Sequence, residues 1–171
     1  AYSIYDKEVF KKVGLFNTKL IRAQDYEMNK RIVKYGGKIW FSHKIVSHYF
    51  DKQSFYGLLK KQLLYDAPYN IYMFHAAPYT MNIRHSITLF FSLGVIIGLF
   101  IINIPILSTI YFAVLSLYAI LATISGIQKG IEYKNLFLML ILPICFFLFH
   151  FTHGLGMIYG LINVITKRGY K

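Results

Sequence analysis

Two groups of side chains in this chain of 171 residues have the types and spacing for chemistry. The first is Gln24-Asp25-Tyr26-Glu27. At a helix start, Asp25 would be kept ionised by free backbone N–H groups and the helix dipole, which suits a general base taking a proton from a hydroxyl. The same placement suits an N-cap, the commoner use of Asp there. The second group is the histidines. His150 and His153 would share one face of a helix inside an apolar run. Ionisable groups in such a setting serve function or helix–helix hydrogen bonds. His43 and His48 flank a β-prone run and would point to opposite faces of an extended segment, so they would not chelate one metal together. His48 alone is a single-ligand candidate for a metal or a phosphate. Gly156-x-x-x-Gly160, next to His153, permits close helix approach.

Other familiar sites are absent from the sequence. It contains no P-loop, no GxGxxG, no HExxH, no GxSxG and no Asp-x-Asp. Its single cysteine, Cys145, lies in an apolar run, so there is neither an internal disulfide nor a Cys-based metal site.

The elements that must position these groups fall into two halves. Hydrophobic residues make up 56% of the chain and charged residues 15%, against about 45–50% and about 25% in a soluble domain. This excludes a disordered chain and points to a membrane. Residues 1–84 carry 14 basic and 6 acidic groups, and residues 85–171 carry 5 and 1. A basic excess beside apolar spans fits contact with anionic lipid headgroups, and no nucleic-acid-binding pattern is present.

Ser86 to Gln128 is free of Asp, Glu, Lys, Arg and His for 43 residues, broken near its middle by Asn103-Ile104-Pro105. Since a span needs about 20 apolar residues, this predicts two membrane helices, at about 87–102 and 106–125. A third, at about 136–165, is overlong or broken at Pro143 or Gly154. The positive-inside tendency puts the first half and the second loop in the cytoplasm. Lys167, Arg168 and Lys171 conflict with three spans, so either residues 136–165 re-enter or the tail departs from the rule.

In the first half, Asp6 to Val13 carries helical signals ended by Gly14, and Asp25 to Tyr35 forms a second helix with Met28, Ile32 and Tyr35 on one face, capped by Gly36-Gly37. Lys38–Phe41 and Ile45–Tyr49 have the composition of short strands. Ser54 is an N-cap for an amphipathic helix over about 54–65, placed either on the membrane surface or against a core. Residue 1 is Ala and no signal peptide follows it, which predicts a chain that begins inside a longer reading frame.

Taken in order, these features resemble the C-terminal half of a family 2 glycosyltransferase of the membrane-bound bacterial type that builds exopolysaccharide, as in the succinoglycan pathway. Ala1-Tyr2 and Val9-Phe10-Lys11-Lys12-Val13-Gly14-Leu15-Phe16-Asn17 look like the family's "AYR…vfekvGgFde" segment. Arg22-Ala23-Gln24-Asp25-Tyr26-Glu27-Met28 resembles its "r-g-E-D-y-e-l" motif, and Lys34 to Phe41 its "k-x-G-x-k-i-x-f". Val46-Ser47-His48-Tyr49 resembles its "v-x-H" strand, and Lys61-Gln62-Leu63-Leu64-Tyr65 its "kQ-x-x-r-y" helix. The likeness covers about residues 1–80 and continues loosely through the spans to His153-Gly154-Leu155-Gly156.

The resemblance implies an α/β fold over residues 1–80, the C-terminal part of a GT-A domain, followed by a transmembrane region over residues 81–171. It also implies inverting transfer from a nucleotide-sugar donor to a lipid-linked or polysaccharide acceptor at the bacterial inner membrane, with the soluble part cytoplasmic. Asp25 takes the place of the family's general base, with Gln24, His48, Lys61 and Gln62 as acceptor- or donor-site residues. A divalent metal, Mg or Mn, is implied, but its DxD ligands are absent from this chain. Two departures stand out: Gln24 replaces the family's Glu, and Leu64 stands where the family has an Arg, leaving Lys60 or Lys61 as substitutes. Without a donor-binding half the chain is expected not to transfer sugar alone. The alternative is a non-catalytic membrane scaffold in which Asp25 is only a helix cap, and a transporter fragment built on His150 and His153 is a weaker third.

Overall fold

The structure, a computed structural model, describes residues 3–42, 44–46, 48 and 54–167, and all of its regular elements are helical. In chain order they are α1 (Lys7–Val13), α2 (Gln24–Lys34), α3 (Phe55–Lys61), a π-turn (Gln62–Asp66), α4 (Ala67–Ala76), a 3₁₀ turn (Pro78–Thr80), α5 (Ile83–Ile101), α6 (Pro105–Glu132) and α7 (Leu136–Ile165).

The expected α/β GT-A partial domain is therefore corrected: no strand and no sheet is present among the described residues. Lys38–Phe41 follows α2 as irregular chain, with Trp40 87% and Phe41 94% exposed. Strand propensity expresses fit to a neighbouring strand, and among the described residues no strand pairs with this segment. Ile45, Val46 and His48 belong to no regular element, while Ser47 and Tyr49 lie outside the described residues.

The local helix signals act as expected. Asp6 caps α1 by accepting from the Glu8 N–H, and Gly14 ends it at φ 82°. Gly36 takes φ 79° after α2, and the Gly37 N–H bonds back to the Ile32 carbonyl. Met28 and Ile32 are buried, whereas Tyr35 is 67% exposed because the helix has already ended there. Ser54 caps α3 through the Gly57 N–H, and the chain continues through the π-turn into α4.

Among the described residues three helices are long and apolar enough to cross a membrane: α5, α6 and α7. Their outward faces are apolar, with Phe100 80% and Leu140 76% exposed, a surface suited to lipid. Helix α7 is continuous through both Pro143 and Gly154, so residues 136–165 do not turn back. Its 30 residues span about 45 Å against a hydrocarbon core of about 30 Å. Pro143 is accommodated because Gly126 of α6 leaves space for its ring.

Helix α7 is the common wall. Gly154 meets the Thr88 carbonyl and the Ser92 side chain of α5. A methyl at Gly156 would stand 2.8 Å from the Gln62 and Leu63 carbonyl oxygens, and one at Gly160 would stand 2.7 Å from the Pro68 Cα. The apolar core lies where these elements meet: Leu20, Ala67, Met73, Phe74 and Met157 are buried together, with Ala23, Tyr26, Ile71 and Leu89 against them.

Gly154→Ala should force α5 away from α7 and lower stability by about 1–3 kcal/mol, the usual cost of overpacking. Gly94, with no atom within 4 Å of a Cβ, should accept Ala with no loss or a gain of up to about 1 kcal/mol. Thermal unfolding of the two variants in detergent checks the contrast.

Candidate functional site

The segment leading into α2 is built to hold Asp25. Asn17 closes a turn by accepting from the Lys19 N–H, and the buried Leu20 anchors the segment in the core. Ala23 then turns the backbone into the helix at φ 59° and contributes no side-chain cap. The Gln24 carboxamide folds back to donate to the Leu20 carbonyl. Asp25 is the second residue of α2, half-buried, and one carboxylate oxygen accepts from the Tyr26 N–H at 2.9 Å. It lies in the first turn, where the helix dipole favours a carboxylate, but it is not the N-cap.

Next to it Glu27, named in the sequence beside Asp25, heads an assembly with Arg31 and Tyr79 that sequence reasoning missed. Glu27 is 1% exposed, and its carboxylate accepts from Arg31 Nη2 at 2.8 Å and from the Tyr79 hydroxyl. Arg31 also donates to the Val13 carbonyl at 2.7 Å, tying α1 to α2. Burial, then the hydrogen bond to Glu27, then that residue's charge raise the Tyr79 phenol to about 12. The four-residue spacing of Glu27 and Arg31 was a visible signal, but Tyr79 comes from a distant turn.

A second polar group joins five parts of the chain. The π-turn puts Gln62 and Asp66 side by side, with Gln62 Nε2 donating to Asp66 Oδ2 at 3.1 Å. Arg22, just before α2, donates to Asp66 Oδ1 at 2.9 Å and lies over the Tyr65 ring at 5.0 Å. Lys61 Nζ is 3.9 Å from Asp66 Oδ2. From α7, His153 Nδ1 reaches Gln62 Oε1 at 2.7 Å, and its Nε2 lies 3.4 Å from Asn70 Nδ2. Sequence reasoning had named Lys61 and Gln62 in one motif and His153 apart from them; the fold brings all three together.

The remaining candidates stand apart. His48 is exposed on irregular chain, and His43 lies outside the described residues. His150 bonds to Tyr118 of α6 at 2.9 Å, so the two α7 histidines serve different neighbours. Among the described residues no group of three or more His, Cys, Asp or Glu could hold a metal. The oxygens of Glu27 and Asp66 already accept from Arg31, Tyr79, Arg22 and Gln62. The residues described here do not form the donor set of the divalent ion that the resemblance implies.

No family model matches the chain, and no solved structure matches it. It is 28% identical over 163 residues to the dolichyl N-acetyl-alpha-D-glucosaminyl phosphate 3-beta-D-2,3-diacetamido-2,3-dideoxy-beta-D-glucuronosyltransferase of Methanococcus voltae. The alignment takes in 95% of this chain and 46% of that protein, so the chain spans about half the length of its relative. The similarity is to a glycosyltransferase and takes in 95% of this chain, so it runs through the helices of the first half and the three apolar helices alike.

Arg31→Met should cost about 3–5 kcal/mol, because Glu27 would be left buried without its cation, measured as a fall in unfolding free energy. The pH dependence follows from Tyr79. Its folded phenol binds its proton more tightly than the unfolded group at 10.0, so the stabilisation is intact below pH 10 and declines as pH rises toward 12. Melting curves across that window should fall more steeply for the wild type than for Tyr79→Phe.

Proposed function

We propose that the protein is a membrane-embedded glycosyltransferase, of the family 2 type, that moves a sugar from a nucleotide-sugar donor to a phosphate-bearing, lipid-linked acceptor in cell-surface glycan synthesis. The observation that carries this reading is the similarity over 95% of the chain to an enzyme whose name describes transfer to a dolichyl-linked sugar phosphate. The three apolar helices suit a substrate that resides in a bilayer. The basic first half suits the cytoplasmic face of a bacterial inner membrane.

Asp25 is the residue we assign as general base. As the acceptor oxygen attacks the anomeric carbon, its proton passes to the Asp25 carboxylate, and the bond from that carbon to the nucleotide diphosphate breaks with inversion. Two features support the assignment. The first turn of α2 favours the ionised form, and the buried Leu20 and the Arg22–Asp66 bond hold the preceding segment in place.

In the full-length, membrane-embedded protein, Asp25→Asn should reduce transfer by about 10²–10⁴-fold, the range for loss of a general base, while membrane insertion and protein level are unchanged. The check is a radiolabelled nucleotide-sugar assay with a polyprenyl-phosphate-linked acceptor. Retained activity would remove Asp25 from the mechanism and favour a non-catalytic scaffold.

A further inference from the structure

An ionisable side chain in an apolar helix needs a partner, and the partner of His153 is not another of the three long apolar helices but the π-turn between α3 and α4. The donors and acceptors admit one consistent arrangement. The Asp66 carboxylate only accepts, so the Gln62 amide nitrogen faces it and the amide oxygen faces His153. His153 therefore donates from Nδ1, which leaves Nε2 as the acceptor toward Asn70. The chain of bonds continues from Asp66 to Arg22, three positions before Asp25.

The packing around this chain is independent of its polarity. Gly156, three residues after His153, lets the Gln62 and Leu63 carbonyls lie against α7, where a methyl group would stand 2.8 Å from both. π-turns are rare and concentrate at functional sites, and this one puts Gln62 and Asp66 in register with His153 and Arg22. Leu20 is held by Met157 and Ala67 in the same core. The Leu20–Asp25 segment is thus fixed by an apolar contact at its start and, next to Ala23, by a polar chain that ends in α7.

We propose that His153 is a positioning residue, which through Gln62 and Asp66 fixes Arg22 and so sets where the Asp25-bearing start of α2 stands relative to the membrane helices. Its role toward the reaction rests on the glycosyl-transfer reading above; its role in holding the segment does not. This gives an ionisable residue inside α7 a function without direct contact with substrate.

The test uses the full-length protein in lipid nanodiscs and reads backbone hydrogen exchange over residues 20–28. His153→Phe should speed exchange there about tenfold, the effect of one lost buried hydrogen bond of about 1.4 kcal/mol. His153→Asn, whose amide can donate in place of Nδ1, should restore slow exchange. His150→Phe, which removes the other α7 imidazole, should leave these residues unchanged. Gln62→Met cuts the same chain without altering α7 and should reproduce the effect of His153→Phe should that variant not fold. In transfer assays the loss should fall on kcat with KM little changed. Unaltered exchange in the His153→Phe or Gln62→Met protein, or an equal rise with His150→Phe, would overturn the proposal. A wild-type protein inactive in transfer would reject the enzymatic reading and leave the exchange result to decide the positioning role.

Discussion

The distance at which other backbone can approach α7 governs the arrangement of the rest of the molecule. Apolar helices in a bilayer gain no hydrophobic drive from contact with one another, so association depends on close packing and on hydrogen bonds across the contact. Gly154 admits α5, Gly156 admits the π-turn and Gly160 admits the start of α4. At these separations polar bonds become possible as well: the Ser92 hydroxyl reaches the Phe151 carbonyl at 2.9 Å, Asn163 reaches the Tyr72 hydroxyl at 3.0 Å, and His153 reaches Gln62. The small residues and the polar bonds are one device, because side chains at those glycines would hold the partners out of reach.

Two carboxylates of the first half tie separate elements together. Glu27 joins α2 to the 3₁₀ turn through Tyr79, while Arg31 carries the link onward to α1. Asp66 joins the π-turn to the segment before α2. Both serve long-range assembly, and both have cations beside them, which is what a desolvated carboxylate requires. Among its contacts, Asp25 accepts from the Tyr26 N–H in the first turn of α2, where the helix dipole favours a carboxylate.

Elements set by local rules were legible in the sequence. Gly14 and Gly36 mark helix ends because their positive φ suits glycine, Ser54 and Asp6 cap through their own side chains, and the apolar runs define the spans. Signals that depend on a remote partner were not legible. The composition of Ile39-Trp40-Phe41 fits a strand, yet a strand exists only with a neighbour, and none is present among the described residues. Asp25 has the chemistry of an N-cap, yet Ala23 occupies that position because Leu20 is pulled into the core and the chain must turn sharply to reach α2. The π-turn has no local signature here; it follows from seating the Gln62 and Leu63 carbonyls on Gly156.

The departure from the resembling family at Leu64 takes on a different meaning in three dimensions. Sequence alone left the Gln62 element without its guanidinium and offered only Lys60 or Lys61 in its place. Lys61 does approach Asp66, at 3.9 Å, but the shorter and more directional bond comes from Arg22, at 2.9 Å, with its guanidinium over the Tyr65 ring. Arginine suits that position because its planar fork can hydrogen-bond a carboxylate while its face stacks on an aromatic ring, which an ammonium group does less well. The cation absent from the local motif is therefore present beside it in space, supplied from 44 residues away. Because that cation belongs to the segment entering α2, the Gln62 element and the Asp25 helix become parts of one polar assembly resting on α7.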